Sequence, residues 1–366
     1  MYKFLLIEDS TEDSDLFQDT IKRMNIAASE EMYQITIAAT YDEEISMISD
    51  DFNGVIIDIK LDGDHTGNEI VREIMQNYRL PVAIFTGTPD TEQVKGSPII
   101  VYKKGEASQE EIITNLCSVS DTGLFKVLGG TGILETAMNQ VFWRNLYPQI
   151  ELWKTKKGNG IDTERVILRY AISHIQELID IEIPAHVTEE MYICPPVSPI
   201  LKTGSIIEAK DDGLCCIVLS PPCDLSLHNG KIKTECVLLC EIEDHKETNI
   251  KIIGDATSQK SQEKLISKAI NNNYSDYYHW LPENSLFAGG YINFRKVITY
   301  SPEEIHEQFY PSRLKVQEGF VKAILARFSS YYARQGQPDF DFEAEASNIV
   351  SRFTRVAQGK QELPLE

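Results

Sequence analysis

Residues 1–120 alternate short apolar runs with amphipathic stretches. The runs are Phe4–Ile7, Ile35–Ala38, Gly54–Asp58, Pro81–Phe85 and Ile99–Tyr102, each rich in β-branched or aromatic side chains. Strands that are apolar at consecutive positions belong inside a sheet covered on both faces. Helical spacing predicts helices near Glu12–Met24, Tyr41–Ser49, Gly67–Asn77 and Gln109–Leu116. Five strands alternating with helices predict an α/β domain over residues 1–120, built on a doubly wound, five-stranded parallel sheet.

The pattern changes after residue 120. Asp121-Thr122-Gly123 and Gly129-Gly130-Thr131-Gly132 form a glycine-rich stretch without the Lys-Ser/Thr of a phosphate loop, so it reads as a linker. One helix is expected from Ile133 to about Lys154 and another over Asp162–Ile181, which makes residues 121–185 a helical linker region. From about Glu190 strands return, at Met191–Cys194, Ser205–Ala209, Leu214–Leu219, Glu235–Ile242, Asn249–Ile253 and Tyr291–Tyr300. Pro195-Pro196, Pro221-Pro222 and Asn229-Gly230 punctuate them, the last as a turn between two β segments. A helix is expected over Gln262–Asn271, Pro302–Arg334 reads as largely helical, and a short amphipathic helix is expected near Glu343–Arg355. Residues 186–366 are thus expected to be an α+β domain with a mainly antiparallel β unit.

Length and charge narrow the function. A chain of 366 residues suits two or three domains. No run approaches the roughly 18 apolar residues of a membrane span. The apolar run Phe4–Ile7 ends in Glu8-Asp9 and reads as a strand, not a secretion signal, so a cytoplasmic protein is expected. Seven cysteines without a Cys-x-x-Cys pair give no disulfide framework. The net charge is −21: residues 1–120 hold 9 basic and 23 acidic side chains, or −14, and the remainder 26 and 33, or −7. Such a field repels a phosphate backbone and argues against a DNA-binding output. The helix expected around 163–181, with Glu164, Glu177 and Asp180 against Arg165 and Arg169, is no basic recognition helix either.

The strand ends carry chemistry. Glu8 and Asp9 follow the first strand, Asp58 ends the third, Thr86 the fourth, and Lys103 and Lys104 the fifth. In a doubly wound sheet these positions converge on one edge. Together they offer carboxylates for a hard cation, a carboxylate nucleophile, a hydroxyl and an ammonium, the set that phosphoryl transfer needs.

With these motifs in order, residues 1–118 resemble the response-regulator receiver (CheY-like) family. The resemblance implies a sheet of order 2-1-3-4-5 and a phosphoryl group taken by Asp58 from a phosphohistidine. It implies Mg²⁺ bound by Asp9 and Asp58 directly, by Glu8 through water and by the carbonyl of Lys60. Thr86 would swing toward the phosphate and Lys104 would pair with it, with Lys103 as the alternative lysine. The implied partners are a histidine kinase or phosphotransfer protein and a downstream protein; nucleic acid and membrane are not expected, and a homodimer is left open. Several features depart from the family pattern. The loop Lys60–Gly67 lacks its proline, Lys104 is followed by Gly105, and the 17 residues between Thr86 and Lys104 leave little room for a fourth helix. Tyr102 is nearest to the position of an aromatic switch residue.

Two strings stand apart in the C-terminal half. Leu219-Ser220-Pro221-Pro222-Cys223-Asp224-Leu225 offers a thiol, with His228, Cys236 and Cys240 in range as metal ligands. Cys236 and Cys240 lie about 13 Å apart on a straight strand, too far to share one ion. The second string, Arg327–Pro338, places aromatics between arginines and suits either an interface or a helix packed by Phe328 and Tyr332. Both resemble strings in bacterial response-regulator-like proteins, some near phage-defence signalling genes, a resemblance that implies no activity. Three functions follow as alternatives: a response regulator whose output module binds protein, an enzyme using Cys223 under receiver control, and a phosphate sink without output.

Overall fold

The computed structural model describes residues 1–38, 47–61, 67–87, 99–130, 132–179, 185–228, 230–334 and 340–357. Most of the helix expected over 41–49, the loop 62–66, Thr88, Pro89, Thr131, the end of the helix expected over 162–181, Asn229 and residues 335–338 lie outside them. The chain divides into two units, Met1–Ile183 and Pro184–Glu366.

In the first unit the strands are β1 (Tyr2–Ile7), β2 (Tyr33–Ala38), β3 (Gly54–Ile57), β4 (Val82–Thr86) and β5 (Ile100–Lys103). They pair in parallel in the order β2-β1-β3-β4-β5. Helices α1 (Thr11–Ala28), α2 (Gly67–Asn77) and α3 (Gln109–Asp121) follow β1, β3 and β5. Alternate strand residues go to opposite faces, so β3, buried on both, is apolar throughout, whereas the edge strands β2 and β5 carry Gln34, Thr36 and Lys103. Leu5, Ile7, Val55, Ile57 and Ile84 pack with Ile70 and Ile74 of α2. Phe4, Leu6, Ile56 and Phe85 pack with Phe17 of α1 and Ile112 and Leu116 of α3.

Beyond α3 the glycine-rich stretch is not a bare linker. It holds α4 (Leu124–Leu128), with Gly129 N–H closing on the Phe125 carbonyl at 2.7 Å. The single helix expected from Ile133 to Lys154 is interrupted. It comprises α5 (Ile133–Val141), a π turn at Phe142–Leu146, a 3₁₀ turn at Tyr147–Gln149 and α6 (Ile150–Gly158). Pro148 has no N–H to continue the ladder, and the break falls around it. α7 (Thr163–Ile179) then packs Ala171 and Ile175 on Val141 and Leu146.

The second unit carries a seven-stranded sheet whose pairings are all antiparallel. Its members are β6 (Tyr192–Ile193), β7 (Ser205–Glu208), β8 (Cys215–Val218), β11 (Val237–Glu243), β12 (Tyr278–Leu281), β13 (Gly290–Tyr300) and β14 (Leu314–Val316). The order is β12-β13-β11-β8-β7-β14-β6. A separate hairpin joins β9 (Leu227–His228) to β10 (Lys231–Ile232), with Gly230 at φ 80° in its turn. Helices α8 (His245–Ile253), α9 (Gln259–Ile270), α10 (Pro302–Gln308), α11 (Glu318–Tyr332) and α12 (Phe342–Ala357) complete the unit. α11 lays Val321 and Ile324 on one face of the sheet, against Ile217, Phe294 and Val316. Ile305 of α10 joins Val218 and Leu239 on the other.

Two expectations are corrected here. Asn249–Ile253 is not a strand but the end of α8, whose start is fixed by Asp244 accepting the Lys246 and Glu247 N–H groups at 2.8 and 2.9 Å. Pro302–Arg334 is largely helical, as expected, in two helices, α10 and α11, with β14 between them. β12 lies where no strand was expected, and Tyr278-His279-Trp280-Leu281 is short and interrupted by a polar residue. Among the described residues no helix is long and apolar enough to cross a membrane.

Candidate functional site

The carboxyl edge of the parallel sheet gathers the polar residues of the first domain. β1 runs straight into Glu8, whose Oε1 accepts the Ser10 N–H at 3.1 Å. Ser10 in turn caps α1, its Oγ accepting the Asp13 N–H at 3.3 Å. This turn carries Asp13 back over the end of the strand. β3 delivers Asp58, whose N–H donates to the Ile7 carbonyl at 3.0 Å and whose Oδ1 accepts the Lys60 N–H at 3.1 Å. Gly67 opens α2 against the same loop, where a Cβ would collide with the Asp58 carbonyl oxygen. β4 ends at Thr86, whose carbonyl accepts the Lys104 N–H at 2.9 Å and so registers the end of β5.

Lys104 is the hub. Its Nζ lies 2.7 Å from Glu8 Oε2, 2.7 Å from Asp13 Oδ2 and 2.7 Å from Asp58 Oδ2. It also stands 5.6 Å from the centre of the Phe85 ring, within range of a cation–π contact. Glu8, Asp58 and Thr86 are buried at 2, 5 and 1% exposure. Burial raises the Glu8 pKa above the usual carboxylate value, against the pull of Lys104. Burial also works against the Lys104 charge, but hydrogen bonds with Asp13, Asp58 and Glu8 outweigh it and hold its pKa above the ordinary lysine value.

Of the residues named from sequence, the structure brings Glu8, Asp58 and Lys104 into direct contact. Asp9 follows Glu8 on the same edge, partly exposed. Lys103 turns away, its ammonium paired with Glu106 on the surface. Tyr102 is buried in the apolar layer with Phe85 and α3. Asp13 is the residue that sequence reasoning missed. Its place in the first turn of the helix after the first strand carries no separate signal, since acids are common there for the helix dipole alone.

The C-terminal strings are placed differently. Cys223 is exposed in the turn after β8, its Sγ 3.6 Å from Asp224 Oδ1. Cys236 is exposed, whereas Cys240 is buried with its Sγ donating to the Asn293 carbonyl at 3.0 Å. Among the described residues no group of three or more His, Cys, Asp or Glu side chains is disposed to hold a metal ion. In the parallel-sheet edge, Lys104 occupies the point where the carboxylates meet. The Arg327–Pro338 string packs on its own unit where it is described. Arg327 Nη2 donates to the Ser275 and Tyr278 carbonyls at 3.0 and 2.8 Å, and the Phe328 ring lies edge-on to Phe294.

No family profile matches the chain, and no curated protein matches it. Solved structures match its first third. A CheY-like receiver domain protein from Methanospirillum hungatei JF-1 is similar at 21% identity, with 33% of this chain and 95% of that one covered and a TM-score of 0.28. The receiver domain of the Francisella response regulator 1452 is similar at 17% identity, over 33% and 98%, with a TM-score of 0.28. The chemotaxis response regulator CheY4 of Vibrio cholerae is similar at 18% identity, over 32% and 98%, with a TM-score of 0.26. In the order of its own parallel strands, β2-β1-β3-β4-β5, the N-terminal third has the fold of a CheY-like receiver domain.

Proposed function

We propose that the protein is a two-component response regulator that takes a phosphoryl group on Asp58 from a histidine kinase or phosphotransfer protein. One observation carries the reading: two buried carboxylates, Glu8 and Asp58, share a single lysine ammonium at the carboxyl edge of the sheet, beside Thr86. An Asp58 carboxylate oxygen attacks phosphorus and forms an acyl phosphate. The P–N bond of the donor breaks, and its electron pair leaves on the imidazole nitrogen, which recovers a proton. Lys104 must then let go of Asp58 Oδ2 and turn to the phosphoryl oxygens, and the Thr86 hydroxyl offers them a further hydrogen bond.

The donor set fits Mg²⁺, which takes oxygen ligands, one or two carboxylates among them, and keeps several waters. Asp9, Asp58 and the Lys60 carbonyl would hold it, with Glu8 through water. Bound there, it neutralises charge on the transferring group. The excess of acid over base supports an output that binds protein and not DNA. Residues 121–185 would carry the signal to the module at 186–366. Phe142, Trp143 and Tyr147, exposed and clustered at the π turn, support a protein contact in that region.

The test is phosphorylation of the whole chain by acetyl phosphate. With Mg²⁺, intact mass should show one added phosphoryl group, labile to hydroxylamine, and chelation should abolish it. No mass change at saturating donor and metal rejects the proposal.

Asp13 refines it. Its carboxylate competes with an incoming phosphoryl group for Lys104. Asp13→Asn should weaken that hold and tighten beryllofluoride binding in Mg²⁺ by about tenfold, the equivalent of about 1.4 kcal/mol out of a charge-assisted hydrogen bond. Unchanged or weaker binding by calorimetry would show that Asp13 does not restrain the lysine.

A further inference from the structure

The helical hairpin of the first unit buries only part of its apolar surface. α5 and α6, joined through the π turn, run antiparallel to α7, and the core between them is small. Val141, Leu146 and Ala171 are buried there, with Ile167, Ile175 and Leu178 half-buried around them. At 100° per residue Ile167, Ala171, Ile175 and Leu178 make one stripe along α7. A second stripe lies beside it: Leu168, Ile172 and Ile179, at i, i+4 and i+11, exposed at 59, 56 and 61%. The two stripes form one apolar face about 140° wide, and the hairpin covers only the first.

An aromatic cluster extends this face. The sense of the two antiparallel helices brings Phe142, one step on from buried Val141, out on the side of the second stripe. Its ring meets those of Trp143 and Tyr147 at 5.0 and 5.6 Å, and all three are exposed. Trp153 and Tyr170 close the opposite side, with ring centroids 5.7 Å apart. The six exposed side chains present on the order of 100 Å² each, roughly 600 Å² in all. That reaches the upper end of what a monomer exposes in one patch, and about matches the apolar share of the ~800 Å² that each partner gives to a stable interface.

Charge says what the partner is. Residues 133–179 hold 6 basic and 5 acidic side chains, a net +1 in a chain of −21, so the rest of the chain carries −22. Elsewhere the field of one copy repels another, and at the hairpin it does not. A strongly acidic or basic partner would find no complement here. A two-helix face of this kind is completed by another like itself, about a two-fold axis. We infer that α5, α6 and α7 are half of a four-helix bundle and that a second copy of the chain supplies the other half. The second stripe of α7 and the aromatic cluster form the seam. The inference rests on the protein contact proposed for this region and names its partner; it is independent of phosphoryl transfer at Asp58.

Sedimentation of the full chain tests it. The parent should run as a dimer at micromolar concentration and dissociate on dilution. Leu168→Glu/Ile172→Glu should weaken association by about a hundredfold or more, because each copy would bring two unpaired charges into the seam. Both positions are exposed in the single copy, so circular dichroism should not change. Ile250→Glu, at a position at least as exposed but in the second unit, should leave the dimer whole. Hydrogen exchange over 165–175 in the unaltered chain should slow as concentration rises through the transition. A parent that stays monomeric at high micromolar concentration overturns the inference. So does a dimer that survives the double substitution, or one lost equally with Ile250→Glu. Acetyl phosphate labelling of the same samples separates this inference from the reading of Asp58. A labelled monomer rejects the bundle alone, and an unlabelled dimer upholds the bundle and rejects only phosphoryl transfer.

Discussion

The Asp58→Asn chain should take up no phosphoryl group from acetyl phosphate in Mg²⁺, with the added mass falling from one per chain to background. The amide has nearly the shape of the carboxylate but is a poor nucleophile, so chemistry is lost while the sheet stays whole. Asp58 is held by its backbone, through its N–H on the Ile7 carbonyl, and by Gly67 packed against its carbonyl oxygen. Neither contact involves the side chain. Glu8 and Asp13 still hold Lys104, so the edge remains a paired cluster with one charge fewer. Circular dichroism and the thermal transition should therefore stay close to those of the parent while labelling disappears. Labelling at the parent level would move the acceptor to another residue, with Asp13 the first to examine because it meets the same ammonium.

The legibility of this chain from its sequence differed by region for physical reasons. The strands of the first domain are readable because both faces of β3, of most of β4 and of Phe4–Ile7 in β1 are buried, so apolar residues run together there. The sheet edge is readable because a parallel sheet forces successive strand ends to one side. Asp13 was not, because an acid in the first turn of a helix is expected from the helix dipole alone. Only the turn made by Ser10 shows that it reaches Lys104. In the second unit, Ile250, Ile252 and Ile253 suggested a strand, and tertiary packing decided otherwise. Thr248 and Ile252, four residues apart, are buried on one face of α8. The acid-x-x-Glu signal at Asp244 and Glu247 would have favoured a helix. The sheet order of that unit was not readable at all. β6 and β14, whose partners Ile193 and Lys315 are 122 positions apart, pair at one edge, and no local pattern encodes such a pairing.

Lys104→Met should cost the first domain about 3 kcal/mol in metal-free buffer at neutral pH. Removing one partner of a buried ion pair leaves the other charge uncompensated, a loss of about 3–5 kcal/mol. Here three carboxylates lose their cation at once. The side chains of Glu8 and Asp58 are only 1 and 7% exposed, while Asp13 at 23% can be solvated, which puts the expectation at the lower end. The methionine stem keeps the packing on Phe85, so the loss reports charge. Its pH dependence has a definite sign. Burial already raises the Glu8 pKa, and Lys104 is what pulls it back. Without the lysine that pKa rises further, so the folded state binds more protons than the unfolded one and stability recovers as pH falls through it. The deficit should thus be largest near pH 7 and shrink toward pH 5. Mg²⁺ should restore part of it at pH 7, since a divalent cation can stand where the ammonium stood. Thermal melts at the two pH values, with and without Mg²⁺, read all three effects, and hydrogen exchange in β3 and β4 assigns them to this domain. A variant as stable as the parent in metal-free buffer at pH 7 would mean that the carboxylates of this edge do not depend on Lys104, and the cluster could no longer be treated as one electrostatic unit.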